Sequence, residues 1–172
     1  MSIAEGPIIQ IAWVVDDIEA AEDLLGNQFG VGAWTRIPDV RFGPEDCTLH
    51  GRPADFTVHV SLAYAAKGTA DLQLELIQPV SGESIYTEFL AVSPPGLHHV
   101  CFEVDDIDAA CATAETEGHP VVQRGSMMAG AAEFAYVDGS SAGAPYIELA
   151  RIGPEMKDFF ADVKQRSARA TR

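Results

Sequence analysis

Positive charge is scarce in this chain of 172 residues. It carries eleven Lys and Arg against 26 Asp and Glu, a formal net charge of −15. Five of the cations crowd into residues 157–172, so residues 1–156 hold 24 acids and six bases. A surface of that sign repels a phosphate backbone and argues against nucleic acid as a partner. Cysteine is scarce too: Cys47, Cys101 and Cys111 share no C-x-x-C spacing. That argues against a disulfide framework and a zinc knuckle. No apolar run reaches the ~20 residues of a membrane span, so no membrane partner is expected. The first residues lack a basic segment followed by an apolar one, and a cytoplasmic location is the expectation. A 47% hydrophobic fraction in a chain of this length suffices for a core without covalent staples.

The chain repeats itself. Gln10-Ile11-Ala12-Trp13-Val14-Val15-Asp16-Asp17-Ile18-Glu19-Ala20-Ala21 matches His99-Val100-Cys101-Phe102-Glu103-Val104-Asp105-Asp106-Ile107-Asp108-Ala109-Ala110, at a constant offset of 89. A single match, offset by about half the chain length, points to two copies of a supersecondary unit. Each copy opens with a β-branched strand, Ile8–Val15 or Leu97–Val104. An Asp-Asp step then caps a helix, Ile18–Phe29 or Ile107–Glu117, and Gly30 or Gly118 stands where the helix should stop. Three strands are predicted after each helix: Ala33–Ile37, Thr57–Tyr64 and Ala70–Gln78, then Val121–Arg124, Glu133–Val137 and Tyr146–Ile152. Lys67-Gly68-Thr69 and Asp138-Gly139-Ser140 read as hairpin turns. Pro38–Asp55 reads as a long polar connection able to cover a site. A short helix is expected near Ser84–Ala91, between the copies. The fold class is α+β: two tandem βαβββ modules, about 7–80 and 96–152, in a single domain 1–152. Residues 153–172 form a C-terminal helix and basic tail, with Met156, Phe159, Phe160 and Val163 on one helical face.

Polar residues interrupt strands that should be apolar. Alternation puts Gln10, Ala12 and Val14 on one face of the first strand, and His99, Cys101 and Glu103 on the matching face of its copy. His98 should then point away from His99. In the last strands, Glu75 sits with Gln73 and Ile77, and Glu148 with Tyr146 and Ala150. A carboxylate in an apolar strand is costly unless paired or bound to a cation. Gln10, Glu75, His99 and Glu148 together offer one nitrogen and three oxygens, a donor set for a divalent ion such as Zn, Ni, Co, Mn or Fe(II).

These segments, with Leu74-Glu75-Leu76, Gly96-Leu97-His98-His99-Val100 and Tyr146-Ile147-Glu148-Leu149, resemble the vicinal oxygen chelate superfamily over residues 7–152. That superfamily includes glyoxalase I, methylmalonyl-CoA epimerase, extradiol dioxygenases and the bleomycin and fosfomycin resistance proteins. The resemblance implies sheets curled around a central metal site, with Gln10, Glu75, His99 and Glu148 as ligands. The His98-His99 stretch is most similar to the epimerase branch; the ligand identities are similar to one class of glyoxalase I. Gln10 stands where dioxygenases carry a first His, which disfavours oxygenase chemistry.

The implied chemistry is an isomerase, epimerase or lyase reaction through a metal-bound enolate. Glu148 would be a ligand that detaches to act as base, with Glu75 or His59 acting on the opposite face. The substrate would carry a carbonyl or vicinal oxygens, with an acyl-CoA as one example, and the resemblance implies a homodimer. The alternatives are a glyoxalase I-like lyase and a non-catalytic, resistance-type binding protein. In the latter, Trp13, Trp34, Phe56 and Tyr64 would hold a cationic compound.

Overall fold

A computed structural model describes residues 2–65 and 71–169. The Lys67-Gly68-Thr69 turn and the last residues of the basic tail lie outside them. Module one runs β1 (Ile8–Val14), α1 (Ile18–Asp23), β2 (Thr35–Phe42), the short strands β3 (Cys47–Leu49) and β4 (Arg52–Pro53), β5 (Phe56–Tyr64) and β6 (Gln73–Ser81). The linker holds α2 (Ile85–Val92). Module two runs β7 (Gly96–Glu103), α3 (Ile107–Thr116), β8 (Val121–Met127), β9 (Ala132–Asp138) and β10 (Tyr146–Ile152), and α4 (Pro154–Arg169) ends the described chain.

The Asp-Asp steps work as caps in both copies. Asp17 accepts a hydrogen bond from the Ala20 amide and Asp106 from the Ala109 amide, each at 3.0 Å. Gly30 and Gly118 both have positive φ, which stops their helices as expected. The first helix is shorter than its sequence pattern, because residues Leu24–Gln28 widen into a π-helical turn.

All ten strands join one sheet in the order β2-β5-β6-β1-β7-β10-β9-β8-β3-β4. The modules meet where β1 runs antiparallel to β7 at the middle of the sheet. The Pro38–Asp55 segment is not a free cover. Its first part continues β2, and its second part forms β3 and β4, with β3 pairing onto β8 of the other module. Residues 43–46 thus tie one edge of the sheet to its far end. Five Cα steps reach at most about 18 Å. Eight strand spacings in a flat sheet would need about 38 Å. The sheet must therefore curl, and the curl creates the hollow that the site occupies.

Helix α3 packs Ala110 and Cys111 against Ala135 and Leu149 of β9 and β10. Helix α4 closes the hollow. It buries Met156 and Val163, and its Ser167 hydroxyl donates to the Ala33 carbonyl at 2.9 Å and accepts from the Tyr64 amide at 3.1 Å. Lys157 of α4 also pairs with Glu103 of β7 at 2.7 Å. No helix among the described residues is long and apolar enough to cross a membrane.

Candidate active site

The register of β1 and β7 explains how the site is made. Ala12 pairs with His99 and Gln10 with Cys101, a near two-fold arrangement that mirrors the sequence offset of 89. The register slips twice, between Ile8 and Gln10 and opposite Ala12–Trp13. The extra residues are Ile9 in β1 and His98 in β7, again 89 apart. A bulge re-aims side chains beside it. Strict alternation would send His98 to the opposite face. Instead its Nδ1 lies 2.9 Å from Nδ1 of His99, and this corrects the expectation. Both imidazoles are fully buried.

The parallel neighbours bring in the carboxylates. Glu75 on β6 is level with Ala12, and Glu148 on β10 is level with Cys101. Glu148 Oε2 lies 3.2 Å, and Glu75 Oε2 3.5 Å, from the same atom, His99 Nε2. Three of the four candidate ligands therefore converge. Gln10 lines the same cavity as Glu75 and Glu148, and its amide nitrogen donates to Gln73 Oε1 at 2.6 Å. That leaves its oxygen as the donor for a cation. All four side chains come from one chain.

His59 is not brought in. Val58 and Val60 of β5 line the cavity, so the residue between them faces the other way. Its Nδ1 accepts a hydrogen bond from the Asp39 amide at 3.1 Å. The reason is the strand period of two. His59 cannot serve as a base at this site. The aromatic set Trp13, Trp34, Phe56 and Tyr64 also fails to line the cavity, and Phe56 and Tyr64 are core residues. The residues that sequence reasoning missed are Tyr86 and Tyr136, whose hydroxyls share a 2.9 Å hydrogen bond on the cavity wall. Tyr136 faces Glu148 across the β9–β10 ladder. The alternation of Phe134 and Tyr136 was the available signal; nothing local marked Tyr86.

The electrostatics follow from burial and proximity. Burial alone would push the His99 imidazole down, but the adjacent carboxylates of Glu148 and Glu75 outweigh it and raise it to about 9. Burial pushes Glu75 up, and His99 pulls it back. Burial, then the charge of His99, pushes His98 down to about 3. A proton on His99 Nδ1 donated to His98 Nδ1 satisfies those two atoms and leaves His99 Nε2 for the carboxylates.

A raised pKa contributes stability below its ordinary value that is lost as pH rises through the shifted one. For His99 that window is about 6.5 to 9. A lowered pKa contributes stability above its ordinary value that is lost as pH falls. For His98 that window is about 6.5 to 3. Thermal melts in chelator should therefore peak near pH 6.5. His99→Gln should flatten the alkaline limb and His98→Gln should lessen the acid limb. Unchanged limbs would refute the assigned protonation states.

The donor set suits a divalent ion. His99 Nε2 is buried without a well-aligned hydrogen bond, and two carboxylates beside it balance a double charge. Among the described residues no three His, Cys, Asp or Glu side chains stand ready-splayed around an ion. The carboxylates instead close on the imidazole, at 3.2 and 3.5 Å from its Nε2.

Fold and site together define a glyoxalase-type scaffold. The chain belongs to the Glyoxalase/Bleomycin resistance protein/Dioxygenase superfamily, whose model matches residues 9–137. Among characterised relatives, it is 30% identical over 129 residues to the ethylmalonyl-CoA/methylmalonyl-CoA epimerase of Cereibacter sphaeroides, covering 73% of this chain and 81% of that protein. It is 27% identical over 121 residues to the mitochondrial methylmalonyl-CoA epimerase of Dictyostelium discoideum, covering 70% of this chain and 62% of that one. The crystal structure of methylmalonyl-CoA epimerase from Mycobacterium tuberculosis superimposes with a TM-score of 0.62 at 20% identity, covering 92% of this chain and 95% of that one.

Proposed function

We propose that this protein is a metal-dependent enzyme of the epimerase type, moving a proton at a carbon next to a carbonyl. The observation that carries the reading is the pair of carboxylates, one from each module, at 3.2 and 3.5 Å from one buried imidazole nitrogen. Gln10, Glu75, His99 and Glu148 would hold the ion. A bound divalent ion supplies Lewis-acid stabilisation of the negative charge that develops on the carbonyl oxygen. The chain's own residues do the rest. Glu148 takes the α-proton, the C–H electron pair moves toward the carbonyl, and a proton returns to the same carbon. Glu75 stands at the equivalent place in the other module and serves the opposite face, the role His59 cannot fill. The Tyr86–Tyr136 hydroxyl pair gives the cavity wall a donor beside these carboxylates. The named epimerase relatives support the reaction type and place acyl-CoA thioesters on the substrate panel.

The test is α-proton exchange in deuterated water, followed by proton NMR on a panel of acyl-CoA thioesters and 2-oxo-aldehydes. Exchange should vanish in chelator and return with one of Zn, Ni, Co, Mn or Fe(II). Exchange that persists in metal-stripped protein would overturn metal dependence. No exchange on any panel member with any ion would move the reading to a binding protein.

A further inference from the structure

The cavity in front of the carboxylates has a chemistry of its own. It encloses about 450 Å³, within the usual range for small-molecule sites. Its walls are apolar: Ile37, Val58, Val60 and Phe134 from the sheet, with Phe159 and Phe160 of α4 as the roof. Gln10, Glu75, Glu148, Tyr86 and Tyr136 add polar groups to the lining.

Charge decides what can enter. Four carboxylates border the cavity, those of Asp46, Glu75, Glu133 and Glu148. Among the described residues the only cation lining it is Arg41, which is held by both oxygens of Asp55 at 2.9 and 2.7 Å. Glu133 is joined to Arg151, and Lys157 beside the roof to Glu103. A bound divalent ion would balance Glu75 and Glu148 and leave no positive charge over for a second anion. A substrate carboxylate would therefore lose its hydration in a net-negative cavity with no unpaired cation to replace it. A nucleotide-phosphate tail would meet a surface whose whole chain carries −15.

We infer that the substrate is a compact, uncharged, apolar carbonyl compound enclosed under α4, and not a dicarboxylic acyl thioester. This inference rests on the proton-transfer reading above and narrows its substrate class.

The experiment compares two probes with the metal-loaded, full-length protein. One is 2-methyl-1-tetralone, a neutral ketone with one acidic α-carbon; the other is methylmalonyl-CoA. Binding is measured by calorimetry and α-proton exchange by NMR in deuterated water. The expected result is saturable binding and exchange of the tetralone, with at least tenfold weaker binding of methylmalonyl-CoA. Phe160→Ala, which opens the roof, should weaken the tetralone at least tenfold. Met128→Gln, at an exposed loop residue that also lines the cavity, should weaken it severalfold and tests the same surface if the first variant fails to fold. Binding of the tetralone without exchange would uphold the apolar class and overturn the proton-transfer reading. Exchange of methylmalonyl-CoA with no binding of the tetralone would overturn the apolar class and leave proton transfer standing. Binding of neither probe would also overturn the apolar class.

Discussion

Replacing Glu148 with Gln is expected to lower α-proton exchange by about 10²- to 10⁴-fold, the range lost when a positioned general base is removed. The substitution keeps the side chain's shape and one oxygen but removes the basic atom. Glu148 is the carboxylate nearer to His99 Nε2, at 3.2 Å against 3.5 Å for Glu75. It is buried, with its side chain on the cavity wall. The backbone at Glu148 is held on both sides, by β7 and by β9, so the fold should tolerate an isosteric change. A thermal melt confirms folding, and elemental analysis separates loss of the ion from loss of the base. Exchange within tenfold of wild type, with metal content retained, would remove Glu148 from the chemistry. Because Glu75 occupies the equivalent place in the other module, its Gln variant should also abolish epimerisation.

Much of this arrangement is legible in the sequence, for a physical reason. A duplicated strand and cap impose the same backbone twice, so Asp17 and Asp106 cap alike and Gln10 and His99 fall on related rungs. Glu75 and Glu148 could be picked out because a charge in a strand of leucines needs a partner. What escaped detection depends on pairing between distant segments. His98 turns toward His99 because of a bulge defined only by the β1–β7 register. The β3–β4 ribbon is a strand pair only because it finds the edge of β8 in the other module. Tyr86 reaches the cavity from a linker helix, where spacing along the chain carries no signal. The face that His59 presents depends on which of its strand neighbours turn inward, and the cavity-lining Val58 and Val60 on either side settle it. Helix α4 was read correctly as amphipathic, but nothing local said that its apolar face would roof the site.

The foundation under the site should be as sensitive as the site itself. Phe56 on β5 is 1% exposed. It stacks on Phe42 of β2 at 5.0 Å and meets the edge of Tyr86 at 6.0 Å. Tyr86 in turn holds Tyr136 by its hydroxyl and lies 5.3 Å, ring to ring, from His98. Phe56→Ala removes the ring from the centre of this aromatic cluster. The lost burial and the cavity left behind should cost about 3–5 kcal/mol, a large part of the roughly 5–15 kcal/mol that stabilises a domain. Urea unfolding should show the midpoint falling with an unchanged slope. Phe29 is the internal comparison: it is 71% exposed, and its Ala variant should stay within about 0.5 kcal/mol of wild type. Equal effects at the two positions would mean that the aromatic cluster does not anchor the fold. A loss confined to Phe56 would place this aromatic cluster, which reaches through Tyr86 to His98, among the contacts that anchor the β2–β5 edge.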